Sequence, residues 1–192
     1  MKRFRLLLAG ALGLLTLGLG SCLKAPDYPV TPEISVDDSS VSLRHYAGSG
    51  TQPIDSVFIT IRFQDGDGDL GLSSAESAVA PYAYPSRFNN NYFIEPYVKI
   101  PNGNFVSLVS LGRIVGGVPL LAGAYNSRFE HIATTSENHS APVKGTLTRV
   151  YAFAYQSLYQ PGEEARFQVS IADRALHESN TVTTSSVVFP KN

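Results

Sequence analysis

The chain is 192 residues long, with 15 Lys and Arg against 16 Asp and Glu, a formal net charge of −1, and 43% hydrophobic residues. Beyond the first five residues the basic side chains form no cluster, which argues against a nucleic-acid partner. A lone cysteine excludes an intrachain disulfide, so a folded domain has to be stabilised by its core or by a metal.

The first residues read as an export signal. MKRFR is cationic, LLLAGALGLLTLGLG is apolar and uncharged, and Ser21 is a small residue before Cys22. A transmembrane helix needs ~20 apolar residues, and this glycine-rich run is shorter. Leu19, Gly20, Ser21 and Cys22 resemble the lipobox of bacterial lipoproteins, which implies cleavage before Cys22 and acylation of that cysteine. Residues 1–21 are thus expected to be a signal peptide and Cys22 the lipidation site, with the membrane as a partner through the lipid anchor. At ~0.8 kcal/mol per buried methylene, one acyl chain binds reversibly, whereas the three implied by the resemblance hold almost permanently. Cleavage leaves 171 residues with 12 basic and 16 acidic side chains, net −4, which suits one domain.

Residues 22–32 are expected to form the tether, since KAPDYPVTP carries three prolines and no periodicity. Residues 33–192 form the domain. ISVDDSSVSL reads as a first strand. Residues 57–63 alternate most clearly, with Val57, Ile59, Ile61 and Phe63 on a buried face and Phe58, Thr60 and Arg62 on the other. SSAESAVA has room for a turn or two of helix. Residues 92–100 and 105–111 flank PNGN, whose Asn102-Gly103 pair signals a hairpin. The glycine-rich, polar residues 112–143 are expected to be loops, with an edge strand as the alternative. Residues 145–154 are β-rich, and ARFQVSIAD followed by TVTTSSVVF reads as a final hairpin. About seven short strands predict an all-β, antiparallel β-sandwich, immunoglobulin-like in the broad sense, with a closed barrel as the rival.

The segment DGDGDLG, residues 65–71, follows the clearest strand directly. On an extended chain Asp65, Asp67 and Asp69 would share a face and repel one another. The outer pair would lie ~13 Å apart at ~3.3 Å per residue, yet calcium holds its oxygens within ~2.6 Å. The loop must curl, and Gly66 and Gly68 permit it. Against the EF-hand loop, the three aspartates match positions one, three and five. Gly71 supplies the carbonyl of seven, Ser73 sits at nine and Glu76 at twelve. Leu70 replaces the sixth-position glycine and a strand precedes the loop, so a helix-loop-helix EF-hand is not expected. Asp173 ends ARFQVSIAD as Asp65 ends its own strand, and in a sandwich of this kind the two following loops emerge at the same end. One calcium ion held by Asp65, Asp67, Asp69, Gly71, Glu76 and Asp173 is the expected cofactor. The alternatives are a solvated acidic turn, magnesium, a guanidinium from Arg174 forked onto a carboxylate, and, for Asp173, a local turn cap. Hard oxygen donors disfavour zinc.

The lipobox, ITIRFQDGDGDLGL, NNYFIEPYVKIPNGNFV and FQVSIADRALHESNTVTT together resemble a family of Bacteroidota lipoproteins. The match is firmest at residues 59–71 and 167–184. The resemblance implies an envelope lipoprotein with a β-sandwich domain and no assigned reaction; the lipid anchor is expected to hold it at the outer membrane, on either the periplasmic or the surface face.

His45, His131, His139 and His177 show no HExxH spacing, and there is no GxSxG elbow or phosphate-cradling loop. An enzyme is therefore not expected; a hydrolase using His177 with Asp173 is the alternative, and a passive structural component of the envelope is another. Tyr82, Tyr84, Phe88, Tyr92 and Phe93 crowd the segment after the aspartates, where exposed rings would suit a glycan or an envelope protein and buried ones would close the core. Asp55-Ser56-Val57 resembles a short O-glycosylation motif that needs Ser56 exposed.

Overall fold

The computed structural model describes residues 26–48, 50–132 and 141–191, so the signal and Cys22 lie outside the described residues. Two antiparallel sheets pack face to face, giving the all-β sandwich that the alternation predicts. The first sheet is built on β3 (Ile54–Asp65), which pairs along its full length with β8 (Val143–Ala154). Its other edge is shared by β1 (Glu33–Ser35) and β2 (Val41–Tyr46). ISVDDSSVSL is therefore two strands. The break falls where Asp37 Oδ1 accepts hydrogen bonds from the Ser39 amide and hydroxyl, a local turn that competes with the ladder.

The second sheet centres on β9 (Glu164–Ile171), flanked by β4 (Tyr92–Lys99) on one side. β5 (Phe105–Ser107) extends it beyond β4 through the expected Asn102-Gly103 turn, where Gly103 has φ +88°. On the other side lie β10 (Val182–Thr183) and β11 (Val187–Val188). Between these two the register slips by one residue, and Thr184 spans the gap by exchanging bonds with Phe167. Residues 112–132 hold a two-residue hairpin of β6 (Ile114–Val115) and β7 (Val118–Pro119). Gly116 and Gly117, at φ +58° and +85°, supply the positive φ pair that a tight hairpin of this hand needs. SSAESAVA gives a single 3-10 turn, Glu76–Ala78.

The core lies between the sheets. Val57, Ile59, Ile61 and Phe63 of β3 face Phe167, Val169 and Ile171 of β9, all buried. Ser56 on the opposite face of β3 is buried too, at 7% exposure, so the glycosylation motif is not presented. Of the aromatic cluster, Tyr92 enters the core, Phe93 is buried on the other face of β4 against Phe88 and Arg87, Tyr82 and Phe88 are half-buried, and Tyr84 is 88% exposed.

Deleting a buried ring leaves a cavity, so Phe167→Ala should lower stability by about 3–5 kcal/mol in urea unfolding. Tyr84→Ala should change it by no more than about 0.5 kcal/mol.

Candidate metal centre

The inner face of β3 reads Asp55, Val57, Ile59, Ile61, Phe63, Asp65, an apolar row bracketed by two buried aspartates. Burying a carboxylate costs several kcal/mol unless something complements it. At one end Asp55 has that complement, the Nδ1 of His45 at 2.7 Å. At the other end Asp65 is wholly buried, and among the described residues no Lys, Arg or His bonds to it. Its surroundings are instead more carboxylates.

Two loops create that crowding. After β3 the chain curls through Gly68, at φ +69°, until the Asp69 amide donates to Asp65 Oδ2 at 3.1 Å. Leu70 then drops into the core and forms an antiparallel bridge with Asp173, directly after β9. Asp69 Oδ2 in turn accepts the Ala175 amide at 3.1 Å, joining the loops of the two sheets. One oxygen from each of Asp65, Asp69 and Asp173 lies within 4.8 Å of the others. Two oxygens on one calcium ion, each at most ~2.6 Å from it, can be no more than ~5 Å apart, so this set fits a single ion. Asp67 lies outside that set of three, although its charge acts on Asp65 and Asp69. The Oδ1 atoms of Asp65, Asp67 and Asp69 are each buried without a hydrogen-bond partner among the described residues.

Burial pushes the Asp65 carboxyl up to about 7 from 3.8, reinforced by the charges of Asp67, Asp69 and Asp173. Asp69 is raised too, by burial and then by Asp173 and Asp67. Asp173 does both things expected of it. It joins the cluster and also caps its own loop, its Oδ1 accepting the His177 amide at 2.7 Å while Oδ2 meets His177 Nδ1 at 2.8 Å. That side-chain bond to Asp173 raises the His177 pKa.

Beyond Asp69 the chain leaves the course of an EF-hand loop, as Leu70 bridges Asp173. Because Leu70 enters the core, Gly71 is turned against residues 129–132, and a Cβ there would lie 2.4 Å from the Glu130 carbonyl oxygen. Glu76 is not brought to the aspartates. Its Oε2 accepts the Ser73 amide at 2.8 Å and hydroxyl at 2.7 Å, and lies 2.6 Å from His131 Nε2. Burial would raise the Glu76 pKa, but the Ser73 and His131 bonds outweigh it and bring it down to about 2. Arg174 also leaves the cluster, with a guanidinium nitrogen 3.1 Å from His131 Nε2 and 3.8 Å from Glu76 Oε1. The guanidinium fork onto an aspartate is thus absent among the described contacts. Asn180 holds β1 instead, exchanging two bonds with the Ile34 backbone. The Ser73–Glu76–His131–Arg174 network carries no signal in the sequence, since its members are up to 101 positions apart.

No family model matches the chain, and neither a curated protein nor a solved structure matches it.

A carboxyl raised on folding stabilises the metal-free fold fully below its unfolded pKa, and that contribution is lost as pH rises through its folded value. In chelator, the fold should therefore melt lower at about pH 8 than at about pH 5, with Asp65→Asn flattening the difference. Calcium competes with that proton, so its stabilising effect should grow over the same interval. Calorimetry with and without chelator checks both signs.

Proposed function

We propose that the chain is a lipid-anchored protein of the cell envelope, tethered through Cys22, whose β-sandwich is held at one pole by a calcium ion and which serves ligand binding or envelope assembly. The observation that carries the metal reading is the set of three buried, unpartnered Oδ1 atoms on Asp65, Asp67 and Asp69. Hard oxygen donors at this spacing suit calcium, and Asp173 brings the second sheet to the same ion. Gly71 and Glu76 are not part of the proposed ligand set. The signal-like first residues, the lone cysteine at their boundary and the resemblance to Bacteroidota lipoproteins support the anchor and the outer-membrane location.

The hydrolase alternative rests on Asp173 and His177. That pair already has a structural task, since Asp173 closes the loop by accepting the His177 amide, and the same carboxylate belongs to the acidic cluster.

A cation that binds only the folded loop stabilises by mass action, about 2.7 kcal/mol at 100 times its Kd, or a rise of roughly 5–10 °C for a domain of this size. Asp69→Asn should remove most of that rise, and Asp173→Asn should weaken calcium affinity in calorimetric titration as much as Asp69→Asn does. Equal melting temperatures with calcium and with chelator would refute the metal. Cys22→Ala should abolish lipid labelling and shift the protein out of the membrane fraction; unchanged fractionation with normal cleavage would refute the anchor.

A further inference from the structure

Gly66 explains where the tether meets the domain. Its amide donates to the Pro29 carbonyl at 2.7 Å, and a Cβ there would lie 2.2 Å from the Tyr28 carbonyl oxygen. Only glycine lets the incoming chain lie this close, so the domain is entered at the aspartate loop. Cys22 is six residues before Tyr28. At no more than ~3.6 Å per residue, the aspartate pole stays within ~22 Å of whatever holds Cys22.

The same pole carries an unusual loop. Residues 79–85, VAPYAYP, hold no charge in seven positions. The Tyr82 hydroxyl donates to the Arg174 carbonyl, one residue past Asp173, which fixes the loop beside the cluster. Outward from that bond Tyr84 is 88% exposed and Val79 57% exposed, with Ala80, Pro81 and Pro85 exposed around them. Val30, next to the tether contact, is 54% exposed. Tyrosine with small apolar neighbours is the chemistry of a membrane interface, where the ring enters the headgroup layer and the hydroxyl stays wet.

We propose that residues 79–85 dock on the lipid surface that holds the chain's own anchor, so that the aspartate pole faces the membrane. The proposal rests on the reading of Cys22 as a lipidated cysteine. A loop this small needs no strong affinity of its own, because a short tether supplies a high effective concentration of lipid. Tyr46 and Ile54, exposed at 50% and 41%, sit eleven residues away along β3. At ~3.3 Å per residue they are roughly 36 Å from the aspartate pole and would face away from the bilayer.

The chain contains no tryptophan, which makes a clean reporter available. Lipidated full-length protein carrying Tyr84→Trp would be reconstituted in phosphatidylcholine vesicles containing brominated acyl chains, beside a Tyr46→Trp control. The expected result is a blue-shifted emission quenched at least two-fold for Tyr84→Trp, no quenching for Tyr46→Trp, and loss of most quenching when Val79→Asp is added. Co-flotation with vesicles but no quenching of Tyr84→Trp, or equal quenching of both variants, overturns the docking and leaves the anchor standing. A blue shift that grows with protein concentration in the absence of lipid assigns the loop to a second copy and overturns it too. Mass spectrometry showing Cys22 without lipid overturns the anchor reading and the proposal together.

Discussion

Carboxylates pressed together out of water set the terms for one whole end of this molecule. The pleat of β3 aims Asp65 at the core, burial of Leu70 draws Asp69 in after it, and β9 delivers Asp173 from the facing sheet. Each placement follows from backbone geometry and apolar burial, which are satisfied over the length of two central strands. The resulting repulsion acts in a medium where charges interact far more strongly than in water. A proton relieves part of it, as the raised Asp65 and Asp69 carboxyls show. A divalent cation would relieve it more fully and would tie the two sheets through one point.

The neighbouring loops are organised around that pole. Gly66 receives the tether, Gly71 lies against Glu130 and His131, Tyr82 bonds the Arg174 carbonyl, and Glu76 joins Ser73 to His131. The opposite end of β3 is handled differently, since Asp55 has a side-chain partner in His45. One strand thus carries two buried aspartates, one bonded to a histidine and one set among carboxylates. A loosened aspartate pole would free the tether contact and the uncharged loop together, because both are fixed to segments of the cluster.

Much of this was legible in the chain. The alternation of residues 57–63, the Asn102-Gly103 turn and the run ARFQVSIAD identify the central strands, because each carries a local period or turn chemistry that tertiary packing reinforces. The meeting of Asp173 with Asp65 and Asp69 was legible from strand ends alone. The edge elements were harder. Asp37 splits the first strand with a side-chain turn that apolar spacing does not register. The β6–β7 hairpin falls where loops, or an edge strand, are expected, and IVGGVP announces it, since two glycines between β-branched residues are a hairpin signal. Glu76 fitted a ligand register by counting, yet its position is set by His131, 55 positions away. Gly66 looked like a residue for curling and is instead a residue for close approach.

The most direct measurement is a crystal structure of residues 23–192 grown with calcium, with anomalous data to identify the ion. The account predicts one calcium bound by carboxylate oxygens of Asp65, Asp67, Asp69 and Asp173, with Glu76 still bonded to Ser73 and His131. A site in which those carboxylates share protons, or in which the Arg174 guanidinium has swung in to neutralise them with no ion present, would contradict it.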